Sequence, residues 1–408
     1  MTDPTIRQAA ILVGGRGTRL GALTATTPKP LLPVGDRPFL AWLLRELCRY
    51  GVEEAVLLAG HRADAIEDAL PDLARRLPRR MRLICHREET PLGTAGALVH
   101  ALPALDSRFL LCNGDSWLDA NLARLLAAAA QDAPGSARMW LRRLPDAARS
   151  GVAELAGERV VAFHERPAAP GPGLINAGVS VLDRALLAGL GGGTLSLERD
   201  LLPRWAEAGL LHGTVAEGWF IDIGVPADFA RAQTEIPARL HRPALFLDRD
   251  GVINIDHGWV GSRERFEFVA GAPAALAAAT EAGWHVFVVT NQSGIARGLY
   301  DEHQFQALMR WLAGEIRRAG GTIDDFRHCP HHPDTGPPCA CRKPAPGMLR
   351  DLVACWELDP GRCLVVGDKP SDLAAGRALG IAGRLFPGGA LDHFLAPVLR
   401  PAAAAPAP

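Results

Sequence analysis

The chain has 408 residues, 48% of them hydrophobic and 22% charged, and a formal net charge of -1. That length exceeds one ordinary core and suits two, with the composition of a soluble globular protein. The balanced charge excludes a global basic field for nucleic acid or an anionic membrane, so any phosphate must be held by local groups.

Met1 to Ala10 lacks the long apolar stretch of an export signal, and the later apolar runs fall short of the ~20 residues that cross a bilayer. A cytoplasmic protein is expected, with no membrane or nucleic-acid partner. Ala9 to Val13 reads as a buried strand that runs into Gly14-Gly15-Arg16-Gly17-Thr18-Arg19-Leu20. Glycines there let backbone amides approach phosphate oxygens, and Arg19 adds positive charge. The proline-stiffened segment Thr27-Pro28-Lys29-Pro30 holds Lys29 toward the same phosphates. Arg37 to Tyr50 reads as a helix, and Ala55 to Ala59 and Phe109 to Cys112 as strands, the last ending at Asn113-Gly114-Asp115. Pro167 to Gly173 reads as a surface loop. The alternation predicts an α/β domain over residues 1–236, with a mainly parallel sheet, helices on both faces, and ligands beyond the strands' carboxyl ends.

Pro237 and Pro243 bracket an expected connection over residues 236–242. A second α/β domain of the same kind is predicted over residues 243–388. Ala244 to Leu247 ends in Asp248, Val286 to Val289 in Thr290, and Leu364 to Val366 in Gly367-Asp368. Three strands that each deliver a polar residue at the carboxyl end describe an active site. Phe305, Leu308, Met309, Leu312 and Ile316 fall at helical spacing and read as core. In Asp248-Arg249-Asp250, two carboxylates two residues apart divide nucleophilic attack from proton transfer. An Asp-x-Asp pair alone is often a solvated turn; the residues around it give it weight. Three of the 8 cysteines lie between Cys329 and Cys341. With His331, Cys329, Cys339 and Cys341 make a four-ligand set suited to tetrahedral, structural Zn²⁺, with His328 and His332 as competitors for the imidazole position. The Pro/Ala-rich end, residues 396–408, is expected to be disordered.

The motifs of the first half resemble those of the sugar-1-phosphate nucleotidyltransferases, a Rossmann-like fold, from about Ala9 to Gln233. The resemblance implies attack of a sugar-1-phosphate oxygen on the α-phosphorus of a nucleoside triphosphate. It assigns Arg19 and Lys29 to the phosphates. Asp115, and Asp222 in Phe220-Ile221-Asp222-Ile223-Gly224, become Mg²⁺ ligands. It assigns nucleotide or sugar binding to Gly14, Gly15, Gly17, Thr18, Gly93 and Thr94, with Glu165 and Asn176 facing the sugar. Leu174 to Gly178 and Phe220 to Pro226 look most like the heptose-1-phosphate guanylyltransferases, so GTP is the expected nucleotide.

The second half, from about Ala244 to Leu385, resembles the haloacid-dehalogenase-like phosphatases. That implies Asp248 as the phosphoryl-accepting nucleophile and Asp250 as acid and base. Thr290 would bind phosphoryl oxygens and Lys343 would offset charge. Mg²⁺ would be held by Asp248, Asp368 and the Asp250 carbonyl, with Asp372 as a supporting carboxylate. Thr290 to Tyr300 and the zinc loop are similar to the D-glycero-D-manno-heptose 1,7-bisphosphate 7-phosphatases, closer than to the histidinol phosphatases. That likeness gives Asn291 and Arg342 to the substrate. The two resemblances together imply neighbouring steps in nucleotide-heptose synthesis for glycans. A hexose-1-phosphate nucleotidyltransferase fused to another sugar phosphatase is the competing enzyme reading. The other is a phosphatase whose first domain only senses sugar nucleotides.

Overall fold

The computed structural model describes residues 6–399, apart from 16, 149, 167–169, 333 and 335–337. The chain divides into two compact units, residues 1–240 and 241–408. No helix among the described residues is long and apolar enough to cross a membrane.

In the first unit the strand Gln8–Leu12 lies between Glu54–Ala59 and Arg108–Asn113, parallel to both. Ala9, Ala10 and Ile11 are all fully buried. A strand covered on both faces has no need of polar alternation, which is why this run is continuously apolar. Arg82–Arg87 adds a fourth parallel strand beside Glu54–Ala59. Beyond Arg108–Asn113 the nine-stranded sheet turns mixed: Gly173–Asp183 pairs antiparallel with both Arg108–Asn113 and Ala137–Leu144. The parallel pattern expected for this unit therefore covers its first four strands. The remaining strands pair antiparallel, except that Leu211–Val215 runs parallel to Ala137–Leu144.

Two boundaries differ from the sequence reading. The helix expected from Arg37 spans Phe39–Arg49, because Pro33-Val34 and Arg37-Pro38 pair as a small antiparallel hairpin. Proline disfavours the helical conformation for the residue before it, so Arg37 stays outside. The connection expected over residues 236–242 is helical as far as Leu240, within Pro226–Leu240. Ile236 and Leu240 are buried one turn apart, and Pro237 packs against Gly35 of the hairpin. That packing offsets the backbone bond that a proline inside a helix removes. Of the loop expected over Pro167 to Gly173, residues 167–169 lie outside the described residues, and Gly173 opens a strand.

The second unit holds a five-stranded, wholly parallel sheet in the order Asp325–Cys329, His285–Asn291, Ala244–Leu247, Cys363–Gly367, Ala382–Leu385. Its central strand, Ala244–Leu247, is buried at every residue. The helix Glu302–Arg318 buries Phe305, Leu308, Met309, Leu312 and Ile316 as the spacing implies. A reciprocal cap starts it: the Gln304 amide donates to Asp301 Oδ1 at 2.7 Å, and the Asp301 amide to Gln304 Oε1 at 2.8 Å. The expected disorder from residue 396 is corrected in part, since residues 396–399 belong to the helix Leu391–Leu399. Leu391, Leu395 and Leu399 form a buried stripe at i, i+4, i+8 against the helix Ala272–Glu281, and this outweighs Pro397. Residues 400–408 lie outside the described residues.

Phe287 is fully buried and stacks on Phe246 with ring centroids 5.3 Å apart. Truncation of such a ring costs about 3–5 kcal/mol. Phe287→Ala is expected to lower the urea midpoint of the second unit's unfolding accordingly; a loss below about 1 kcal/mol would contradict this packing.

Candidate active sites

In the first unit a cavity of about 710 Å³ opens at the carboxyl ends of the parallel strands, lined by Gly14, Gly15, Arg19, Gly93, Thr94 and Asp115 among others. A nucleotide fits such a volume. Gly14 and Gly15 serve different ends. A Cβ at Gly14 would meet the Gly60 amide nitrogen at 2.8 Å, whereas a Cβ at Gly15 would meet nothing within 4 Å. Packing demands the first glycine, and the second leaves its backbone open to the cavity. Gly17 and Thr18 do not line it; they start the short helical turn Thr18–Thr24, where the Thr24 hydroxyl donates to the Gly17 carbonyl at 2.9 Å.

Lys29 is nearly buried, and its Nζ lies 2.6 Å from Asp115 Oδ2. The lysine expected at the phosphates is thus paired with the carboxylate expected at the metal. Asp222 stands across a two-strand ladder from Ser116, and its Oδ1 accepts from the Gly224 amide at 2.7 Å. Burial, then the charge of Asp115, holds the Asp222 carboxyl above its usual range. Two neighbouring carboxylates in that state offer a place for a cation.

Glu165 is exposed on a bend and does not line the cavity. Asn176 does not line it either; its side-chain oxygen accepts from the Gly178 amide at 3.0 Å, inside an irregular stretch of its strand. Lining residues that sequence reasoning missed include His61, Glu88, Glu89 and Glu198. His61, Glu88 and Glu89 sit in loops and Glu198 in the helical turn Leu197–Leu201, none within a motif. Glu198 accepts the Thr94 hydroxyl at 2.9 Å, and Glu88 accepts the Leu92 amide at 3.1 Å.

The second unit has a cavity of about 390 Å³ lined by Asp248, Asp250, Thr290, Asn291, Arg342 and Lys343 among others. Asp248 follows the central strand, and its amide donates to the Val366 carbonyl of the next strand at 3.0 Å. Lys343 is buried and has three acceptors: Asp248 Oδ1 at 2.9 Å, Asp372 Oδ1 at 2.7 Å and the Val289 carbonyl at 2.8 Å. An ammonium has three N–H bonds, so all are used. Burial, partly offset by the Lys343 charge, pushes Asp248 up to about 6. Asp372 also accepts the Lys369 amide at 3.0 Å, which makes it a holder of Lys343. Asn291 bonds both ends of the Lys343 backbone, donating to its carbonyl at 3.2 Å and accepting from its amide at 3.1 Å. It fixes the lysine segment, a role the sequence reading did not give it.

Asp248, Asp368 and Asp372 bring carboxylate oxygens within 4.8 Å of one another. Asp368 Oδ1 is buried without a hydrogen-bond partner. A buried carboxylate oxygen left so is costly and suits a cation. The close approach of Asp368 also explains Gly251: at φ 90° its Cβ would lie 2.5 Å from Asp368 Oδ2. Asp250 is held by Arg249, Asn254 and Gln292, none of which the motif analysis gave a role.

Cys329, His331, Cys339 and Cys341 converge. Cys329 Sγ and Cys341 Sγ lie 3.4 and 3.3 Å from His331 Nδ1, and Cys339 Sγ lies 3.6 and 3.4 Å from Cys329 and Cys341. Those edges are close to the ~3.8 Å expected around a tetrahedral ion with sulfur bonds of about 2.3 Å. Burial, with the neighbouring Cys329 and Cys339 adding, pushes the Cys341 thiol up to about 12. Three thiolates at this range would coexist only around a cation. Of the competing imidazoles, His328 bonds Glu302 at 2.9 Å, and His332 accepts the Asp334 amide at 3.0 Å. Pro333 and residues 335–337 of this loop lie outside the described residues.

The two α/β units thus each place carboxylates and cationic side chains at the carboxyl ends of parallel strands, the arrangement of enzymes that move phosphoryl groups. The nucleotidyl transferase family model matches residues 8–239, and a HAD-hydrolase-like model matches residues 340–405. The D-glycero-beta-D-manno-heptose-1,7-bisphosphate 7-phosphatase of Rhodopseudomonas palustris is 46% identical over 163 residues, covering 39% of this chain and 91% of that protein. That of Vibrio cholerae is 40% identical over 150 residues, covering 36% of this chain and 81% of that protein. The crystal structure of HddC from Yersinia pseudotuberculosis, also solved complexed with GMP-PN, is 28% identical with a TM-score of 0.50, over 56% of this chain and 99% of that one. The chain belongs to the nucleotidyl transferase family and also to the HAD-like heptose-bisphosphate phosphatases.

Lys343→Met would leave Asp248 and Asp372 buried without their cation. Removal of one partner from such a set costs about 3–5 kcal/mol. Urea unfolding without added Mg²⁺ should show that loss, and an unchanged midpoint would contradict the three-acceptor arrangement.

Proposed function

We propose that the chain is a bifunctional enzyme of nucleotide-heptose synthesis. Its second unit removes the 7-phosphate of D-glycero-D-manno-heptose 1,7-bisphosphate. Its first transfers a nucleotidyl group to the resulting heptose 1-phosphate. The observation that carries the phosphatase reading is Asp248, buried at the end of the central strand with Lys343 at 2.9 Å and the unpaired Asp368 oxygen beside it.

Asp248 attacks the phosphorus of the 7-phosphate, the P–O7 bond breaks, and Asp250 delivers a proton to the sugar oxygen. Asp250 then takes a proton from water, which attacks the aspartyl phosphate, releases phosphate and restores Asp248. Mg²⁺ held by Asp248, Asp368 and the Asp250 carbonyl would neutralise charge on the phosphoryl group. Arg342, at the cavity wall, faces the sugar's second phosphate.

In the first unit no protein nucleophile is needed. The 1-phosphate oxygen attacks the α-phosphorus and pyrophosphate leaves, so positioning and charge neutralisation do the work. Arg19 and the open Gly15 backbone face the phosphates, and Asp115 with Asp222 would hold Mg²⁺. Asp115 and Asp222 would supply the metal's carboxylates, and Lys29, now 2.6 Å from Asp115, would be within reach of the nucleotide phosphates. GTP is the expected donor, in line with the GMP-PN complex of HddC. Zn²⁺ at Cys329, His331, Cys339 and Cys341 is structural, because four protein ligands leave no position for substrate. Sugar phosphates and nucleoside triphosphates as substrates place the enzyme in the cytoplasm.

Phosphate release from each anomer of heptose 1,7-bisphosphate, followed by pyrophosphate release with each nucleoside triphosphate, tests both activities. Phosphate followed by pyrophosphate with GTP alone is expected; pyrophosphate only with a hexose 1-phosphate would transfer the first unit to another sugar. Asp115→Asn should abolish transfer and spare phosphate release, and Asp248→Asn the reverse. Protonation of Asp248 below about pH 6 opposes metal binding. The Mg²⁺ concentration for half-maximal phosphate release should therefore rise about tenfold per pH unit below that point and level off above it. A flat response from pH 5 to 7 would remove Asp248 from the metal.

A further inference from the structure

We infer that Gln292, locked by Tyr300, is a positioning residue of the phosphatase site, which aligns Asp250 and turns the Thr290 hydroxyl to donate into the cavity. The inference rests on the phosphatase reading above. Gln292 is 2% exposed, and its three contacts leave no freedom in the amide. Nε2 lies 2.8 Å from Asp250 Oδ2 and 2.8 Å from Thr290 Oγ1, while Oε1 lies 2.6 Å from the Tyr300 hydroxyl. A carboxylate only accepts, so the nitrogen faces Asp250 and the oxygen faces Tyr300. Tyr300 therefore donates. The second N–H goes to Thr290, whose oxygen accepts.

A hydroxyl has one proton, and with its oxygen accepting from Gln292 that proton must go elsewhere. Thr290 is 1% exposed, yet it lines the cavity beside Asp248. Its proton points to where the transferred phosphoryl oxygen sits. Lys343 cannot take that place, since its three N–H bonds end on Asp248, Asp372 and Val289. One amide thus couples the acid–base carboxylate to the phosphoryl-binding hydroxyl.

Tyr300 is itself clamped. A Cβ at Gly261 would come within 2.2 Å of its ring, and one at Gly294 within 2.4 Å. The two glycines make room for the ring and bring the 258–261 loop against it. Arg249 and Asn254 complete the set at 2.8 and 3.0 Å from Asp250 Oδ1, and Arg249 Nη2 also donates to Oδ2 at 2.9 Å. Gln292 is the member that also reaches Thr290.

The test uses the full chain with Mg²⁺ and compares wild type, Gln292→Leu and Tyr300→Phe on heptose 1,7-bisphosphate and on p-nitrophenyl phosphate. Acid–base and alignment effects of this kind are worth ~10²-fold or more. Gln292→Leu should lower kcat about 100-fold with KM within about threefold, and Tyr300→Phe about tenfold, because the amide remains but loses its lock. A purely structural glutamine would lower the unfolding midpoint and leave kcat of the folded fraction unchanged; that result overturns the inference. Tyr300→Phe removes one oxygen atom, so if Gln292→Leu does not fold, an unchanged kcat in Tyr300→Phe overturns it equally. A wild type that hydrolyses p-nitrophenyl phosphate and not the heptose substrate would overturn the substrate reading instead, with the Gln292 comparison then read on p-nitrophenyl phosphate.

Discussion

The ammonium of Lys343 is the point on which the second unit's site turns. Three acceptors from three places in the chain meet on it: Asp248, the proposed nucleophile, the helix-borne Asp372 and the Val289 carbonyl. Without that charge, Asp248 and Asp372 would be two carboxylates sharing a buried space, which cannot both ionise cheaply. Asn291 binds the Lys343 backbone from the strand beside Asp248, so the lysine cannot drift from its partners. Zn²⁺ on the preceding loop would act on the same segment, because Cys341 is two residues from Lys343.

The first unit meets the same constraint with fewer parts. Lys29 offsets Asp115, while Asp222 stays close enough to feel Asp115 as a like charge. Both units therefore store negative charge in a low-dielectric place and offset it with one lysine. In the proposed reactions a divalent ion and substrate phosphates would replace part of that balance. Local groups of this kind would let a chain of net charge -1 bind anionic substrates.

The resemblances found residue types at strand ends well and contacts poorly. Asp248, Asp250, Thr290 and Lys343 all line one cavity, and Gly15, Arg19 and Asp115 line another. Asn176 and Asn291, expected to face ligands, spend their amides on the backbone. An Asn bonds a substrate hydroxyl or a nearby peptide with the same groups, so its type alone does not choose. Gln292 carried no visible role because its partner Asp250 is 42 positions away, while Arg249 bonds the adjacent Asp250 through a side-chain conformation that residue type alone does not choose.

By itself the sequence determined the two α/β units, the strands that deliver Asp248, Thr290 and Asp368, and the grouping of Cys329, His331, Cys339 and Cys341. Those features are local: a run of apolar residues, a glycine after it, a cysteine spacing. Tertiary structure decided the rest. It chose His331 over its neighbours by distance, ended the first unit at Leu240 through packing of Pro237 on Gly35, and kept residues 396–399 helical through a leucine stripe. It also gave Lys343 its three acceptors. Most of these depend on groups far apart in the chain, and burial and hydrogen-bond satisfaction are set only when the fold brings them together.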